Sequence, residues 1–157
     1  GVGSVTIPLT ESRGREAMSF SETISPLLGR LALSWFYGAG AYNIVDNFTQ
    51  LSHQLAAKHV PMPPLVLVVA FVLIVMGVYS LLVGYHTRHG AVLLFGMTIV
   101  ATVVLHDYWH ITDAAARRAE FEIFSRDVAI CGGLLLLIGM GCGRFGWDNR
   151  PPPKKVR

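Results

Sequence analysis

His106, Asp107, Trp109 and His110 lie within five consecutive positions, directly after an apolar run from Val92 to Leu105 that only Gly96, Thr98 and Thr102 soften. Asn43 and Asp46 close an earlier apolar stretch, and Arg126 and Asp127 precede a later one. Histidine changes charge near neutral pH, so His106 beside an aspartate has the chemistry to exchange protons with a polar ligand such as a quinone headgroup. The same residues suit a second role, in which Arg126 and His106 pair with Asp46, Asp107 or Asp127 and staple helices together. A metal site is a third reading, because His106 and His110 at i, i+4 share a helix face and Asp46, Asp107 or Asp113 would add a carboxylate. That spacing lacks the glutamate of a zincin helix, and no metal is assigned. Haem is disfavoured, since His106 and His110 on one helix cannot supply opposite axial ligands. No serine or cysteine sits in a nucleophile motif.

The elements that carry these residues are hydrophobic throughout. The 157 residues are one domain by length, with 52% hydrophobic and 15% charged residues and a mean hydropathy of +0.49, a membrane-protein composition. The net charge of +3 is not gathered in a patch, and no nucleic-acid motif accompanies it. Cys131 and Cys142 are eleven residues apart, about 16 Å on a helix and beyond disulfide reach. No signal peptide is expected, because residues 1–25 are polar and lack an apolar core with a cleavage site.

The expected fold is all-α, a bundle of four transmembrane helices with a short interfacial helix between helices 1 and 2. Residues 1–25 read as a polar tail, 26–148 as the transmembrane domain and 149–157 as a Pro/Lys/Arg tail. The first span runs from about Pro26, a good first helical residue, to Phe48, with Ser34, Gly38 and Gly40 as a packing edge. Thr49 to Met62 follows, its Leu51, Leu55 and Val60 spacing predicting the interfacial helix. Leu65 to Tyr85 has no charge and is about 31 Å long as a helix. The third span ends at the His106 cluster. Ile111 to Ala119 reads as a connection, Glu120 to Asp127 as a charged turn, and the fourth span as Val128 to Gly143. Arg13, Arg15, Arg30, Arg88, Arg144, Arg150, Lys154, Lys155 and Arg157, nine of the 13 basic residues, then share one side. The positive-inside rule makes that side, with both termini, cytoplasmic.

Counted inward from the cytoplasmic ends, Asp46, His106 and Asp127 all fall about 24 Å up their helices. Asn43, Asp46, His106, Asp107, His110, Arg126 and Asp127 would therefore form one polar layer under the outer headgroups. Trp109 sits at headgroup level. Ionisable groups at such depth are costly and face a partner or the bundle interior.

Several motifs, in order, resemble the DoxX family. They are Gly84-x-x-Thr87-Arg88-x-x-Ala91, His106-x-x-Trp109, Gly132-Gly133 and Gly141-x-Gly143-Arg144-x-x-x-Asp148, with Arg30 ten residues before Gly40. The resemblance covers roughly Leu28 to Asp148. It implies a four-helix protein of the bacterial inner membrane. Better-understood relatives are membrane parts of redox systems, including a thiosulfate:quinone oxidoreductase subunit and a subunit of a mycobacterial oxidative-stress complex. Two departures from the family pattern stand out, with Asn43 where a lysine is common and Arg126-Asp127 where Lys-Asn is common. The implied role is an accessory or quinone-proximal subunit of a larger membrane redox complex, surrounded by lipid. The alternatives are a purely structural or assembly partner, and a self-standing oxidoreductase. With no cysteine cluster, haem pair or nucleotide loop to carry electrons, a non-catalytic subunit is favoured, and quinone or lipid is the ligand class the layer suits.

Overall fold

A computed structural model describes residues 9–147, with side chains from residue 21 onward. The first eight residues, Asp148 and the expected 149–157 tail lie outside the described residues. The chain runs α1 (Leu9–Asp46), α2 (Phe48–Ala57), α3 (Pro63–Val83), α4 (Thr87–Leu105), a 3-10 turn (Tyr108–His110) and α5 (Ala114–Met140), with no strand among the described residues.

The uncharged stretch behaves as expected. Pro63 and Pro64 open α3, where a missing N–H costs nothing, and Gly84 closes it in the left-handed conformation, φ 71°, donating to the Ser80 carbonyl at 3.0 Å. A Cβ at Gly84 would stand 2.8 Å from Arg30 Nη2 and 2.6 Å from Gly146 Cα, so the position is constrained by both backbone and space. α3 and α4 approach closely at two small residues. A Cβ on Gly77 would lie 2.5 Å from Leu94 Cγ, and one on Gly90 would collide with Ser80 Oγ.

Three boundaries differ from the sequence expectation. α1 begins at Leu9 rather than Pro26, and Pro26 lies inside it, where it has no N–H to give to the preceding turn. α5 begins at Ala114, not near Val128. Asp113 caps it, accepting from the Ala116 N–H at 2.9 Å, and Ala114, Ala115, Ala116, Arg117 and Arg118 are strong helix formers. α4 stops at Leu105, leaving His106 as its C-cap. There Tyr108 turns its ring onto Phe121 and Phe124 of α5, at 5.4 and 5.3 Å between centroids, and this folding back replaces a continued helix.

The interior is Tyr37, Leu81, Ala91, Leu94, Leu134 and Leu137, drawn from α1, α3, α4 and α5. α1 packs chiefly on α3, and α4 on both α3 and α5. The outer faces are apolar as well, with Val68, Val72, Met76 and Tyr79 of α3 and Val100 and Val103 of α4 all exposed. Exposed apolar area on this scale is a liability in water and the normal state in lipid. α3, α4 with the turn that follows it, and α5 are long and apolar enough to cross a membrane. Gly38 and Gly40, expected as part of a packing edge, have nothing within 4 Å of a built Cβ. Within the helices, the close approaches occur at Gly77 and Gly90 instead.

Candidate functional site

Between the helices is a cavity of about 370 Å³, within the range of small-molecule sites. α2 closes one side with Leu51 and Leu55, followed by Val60. α3 supplies Leu67, Ala70 and Ile74, and α4 supplies Met97, Val100, Ala101 and Val104. Leu51, Leu55 and Val60, the spacing that predicted a short helix, thus turn their apolar side toward the cavity.

The polar wall comes from α1, α4 and α5. Tyr37, Asn43, Thr98, Arg126 and Asp127 line it. Thr98 and Thr102 are four residues apart, so both project from one face of α4. The Tyr37 hydroxyl meets Thr98 Oγ1, and Thr98 donates to the Leu94 carbonyl at 2.8 Å. Thr102 donates to Asp127 Oδ2 at 2.9 Å. Asp127, Thr98, Thr102 and Tyr37 are all buried. Arg126 is more exposed, at 57%; its Nε lies 3.6 Å from Asp127 Oδ1 and its guanidinium 5.5 Å from the Phe36 ring centre, a cation–π distance. At the rim, Asn43 accepts from Asn47 Nδ2 at 2.7 Å.

The polar residues named from sequence separate into two tiers. Asn43, Arg126 and Asp127 reach the cavity. His106, Asp107, Trp109, His110 and Asp46 are not among its lining residues. His106 Nδ1 donates to Glu120 Oε2 at 2.7 Å, and Asp107 pairs with Lys58 at the end of α2. Trp109 and His110 are exposed on the 3-10 turn, and Asp46 is exposed at the end of α1. Thr102 meets Asp127 while His106 meets Glu120, so the cavity tier lies about 6 Å deeper along α4 than the histidine tier. Because α4 ends at Leu105, His106 and His110 do not share a helical face. Among the described residues, no three His, Cys, Asp or Glu side chains converge as a metal-holding group.

Arg30 occupies a place that sequence reading did not assign. It is 2% exposed and donates from Nε to the Leu81 carbonyl at 2.7 Å, from Nη2 to Leu82 at 3.0 Å and from Nη1 to Cys142 at 2.9 Å. These carbonyls end α3 and follow α5, where the orphan acceptors and the negative ends of two helix dipoles concentrate. Two half-charges of that sign balance one guanidinium without a carboxylate. Arg88 adds a longer contact, 3.4 Å, to the Gly139 carbonyl. No spacing rule marks Arg30 as buried; Tyr37, Thr98 and Thr102 carried a faint signal, as polar atoms at helical spacing in otherwise apolar runs.

The sequence model of the DoxX family matches residues 25–107. The inner membrane protein YphA of Escherichia coli (strain K12) is 29% identical over 124 residues, covering 79% of this chain and 88% of that protein. No solved structure matches the chain.

Proposed function

This chain belongs to the DoxX family, and we propose that it is a multi-pass inner-membrane protein whose cavity receives the headgroup of a quinone or similar lipid-soluble ring, as an accessory, quinone-proximal subunit of a membrane redox complex. The observation that carries this reading is the cavity itself: apolar on the sides given by α2, α3 and α4, with a buried phenol and carboxylate on the remaining wall. A ring with an apolar tail and a polar head has that distribution of chemistry.

In this reading residues 26–148 form the membrane domain, flanked by 1–25 and 149–157, and α1 supplies a fourth span. Its registry against α3 supports this. Arg30 binds the carbonyls of Leu81 and Leu82 at the end of α3, while Asn43 shares the cavity with Val66 and Leu67 at its start. The thirteen residues between Arg30 and Asn43 cover about 20 Å, antiparallel to α3. Trp35 at 80% and Tyr42 at 70% exposure are suited to lipid. α2 then lies near the outer interface, and the basic-residue distribution supports cytoplasmic termini.

The structural reading retains the outer tier. His106–Glu120 and Lys58–Asp107 each satisfy themselves within the chain, and we assign them to fastening the outer ends of α2, α4 and α5. The test is photolabelling of the purified protein in lipid with an azidoquinone, followed by peptide mapping. Label should concentrate on Tyr37–Asn43 and Thr98–Leu105 and be displaced by unlabelled quinone. Label spread along the exposed face of α3, or undisplaced, would refute a quinone site.

A further inference from the structure

Resting on the quinone-site reading, we propose that the buried wall of the cavity is a hydrogen-bond acceptor surface, so that the site prefers the hydroquinone, whose hydroxyls donate, over the quinone, whose carbonyls cannot. The proton accounting is closed by named contacts. A threonine hydroxyl has one proton, and that of Thr98 goes to the Leu94 carbonyl. With the Thr98 proton on Leu94, the Tyr37 hydroxyl in contact with Thr98 Oγ1 is the donor of that pair, and in this arrangement what Tyr37 retains is oxygen lone pairs. Both oxygens of Asp127 face donors: Thr102 spends its proton on Oδ2, and Oδ1 has a loose 3.6 Å contact with the Arg126 guanidinium. No proton remains on the Tyr37, Thr98, Thr102 and Asp127 side chains to give to a ligand, while lone pairs remain on Tyr37 and Asp127.

A quinone carbonyl brought against this wall sets lone pairs against lone pairs in a site withdrawn from water, and its lost hydration is not replaced. A hydroquinone hydroxyl completes the contact. At the rim the balance differs: the oxygen of Asn43 is occupied by Asn47, leaving amide hydrogens, and Arg126 brings only donors. Those groups serve either redox form, so discrimination arises at the buried end.

The experiment is calorimetric titration of the full chain in lipid nanodiscs, under anaerobic conditions and against protein-free nanodiscs, with three probes. These are propyl-1,4-benzohydroquinone, the corresponding benzoquinone, and the hydroquinone dimethyl ether, which keeps ring and acceptors but has no donor. The hydroquinone should bind at least tenfold tighter than the other two. Asp127→Asn supplies an amide hydrogen and should bring the quinone within threefold of the hydroquinone, and Tyr37→Phe should cut the preference to threefold or less. If Asp127→Asn does not fold, Tyr37→Phe carries the comparison. Binding of all three probes within threefold of each other overturns the acceptor wall and leaves the quinone site standing. A preference that neither variant alters also overturns it. Binding of no probe removes the quinone site and this inference together.

Discussion

Replacing Arg30 by methionine tests how the end of the bundle formed by the close of α3 and of α5 is held. Methionine fills comparable length without charge, so the change strands the carbonyls of Leu81, Leu82 and Cys142 that now take three hydrogen bonds of 2.7–3.0 Å. Hydrogen bonds to a charged group contribute about 1.5–3 kcal/mol each, but they do not add, and removing a buried cation returns several kcal/mol of desolvation. Three buried carbonyls left without donors cost about 1–3 kcal/mol each, and with the desolvation returned the net expectation is about 3–5 kcal/mol of destabilisation. Arg30→Lys keeps the charge but loses the planar fork that reaches two helix ends at once, and should recover less than half of that loss. Reversible denaturation in mixed micelles, or thermal unfolding in detergent, measures this; for a chain of this size the apparent Tm should fall by roughly 6–20 °C. An Arg30→Met protein within about 1 kcal/mol of wild type would refute the reasoning, because it would mean that the helix-end carbonyls find water or other donors without cost.

Three further outcomes follow from the packing and charge distribution. Gly77→Ala places a methyl 2.5 Å from Leu94 Cγ and should cost about 1–3 kcal/mol by overpacking, with partial rescue by Leu94→Ala; an unchanged denaturation midpoint for Gly77→Ala would show that α3 and α4 part freely. Lys58→Ala breaks a partly exposed pair, its side chains 35% and 27% accessible, and should cost no more than about 1 kcal/mol, with the difference shrinking in high salt; a salt-independent loss of several times that size would show a buried role. A phosphatase active only in the periplasm, fused after Arg157, should be silent and a fluorescent protein fused there bright, whereas the reverse pattern would invert the orientation proposed above.

Sequence made the membrane helices legible because an uncharged stretch such as Leu65 to Val83 has one stable solution in lipid. It made the site only half legible. Asn43, Arg126 and Asp127 were visible as polar groups at the margins of apolar runs, and all three line the cavity. Tyr37, Thr98 and Thr102 were not singled out, since one hydroxyl in an apolar helix reads as a tolerated interruption until its partner on another helix is known. Counting residues from the cytoplasmic ends placed His106 level with Asp127, on the assumption that both helices continue through the layer. α4 ends at Leu105 and α5 continues outward to Ala114, so His106 meets Glu120 while Asp127 meets Thr102. Arg30 shows a different limit: an arginine near a span end reads as a headgroup anchor, and only the convergence of two helix termini makes it a buried clasp.

That clasp also imposes an order on biogenesis. The acceptors of Arg30 lie 51, 52 and 112 positions downstream of it. As the chain leaves the ribosome, the carbonyls of Leu81 and Leu82 become available first, and α1 can join α3 while α4 and α5 are still unmade. The third acceptor, Cys142, exists only once the last helix is complete. A chain truncated before that residue holds a guanidinium with one arm unanswered, in a setting where bare polar groups are costly. Completion of the final helix is thereby registered near the start of the polypeptide.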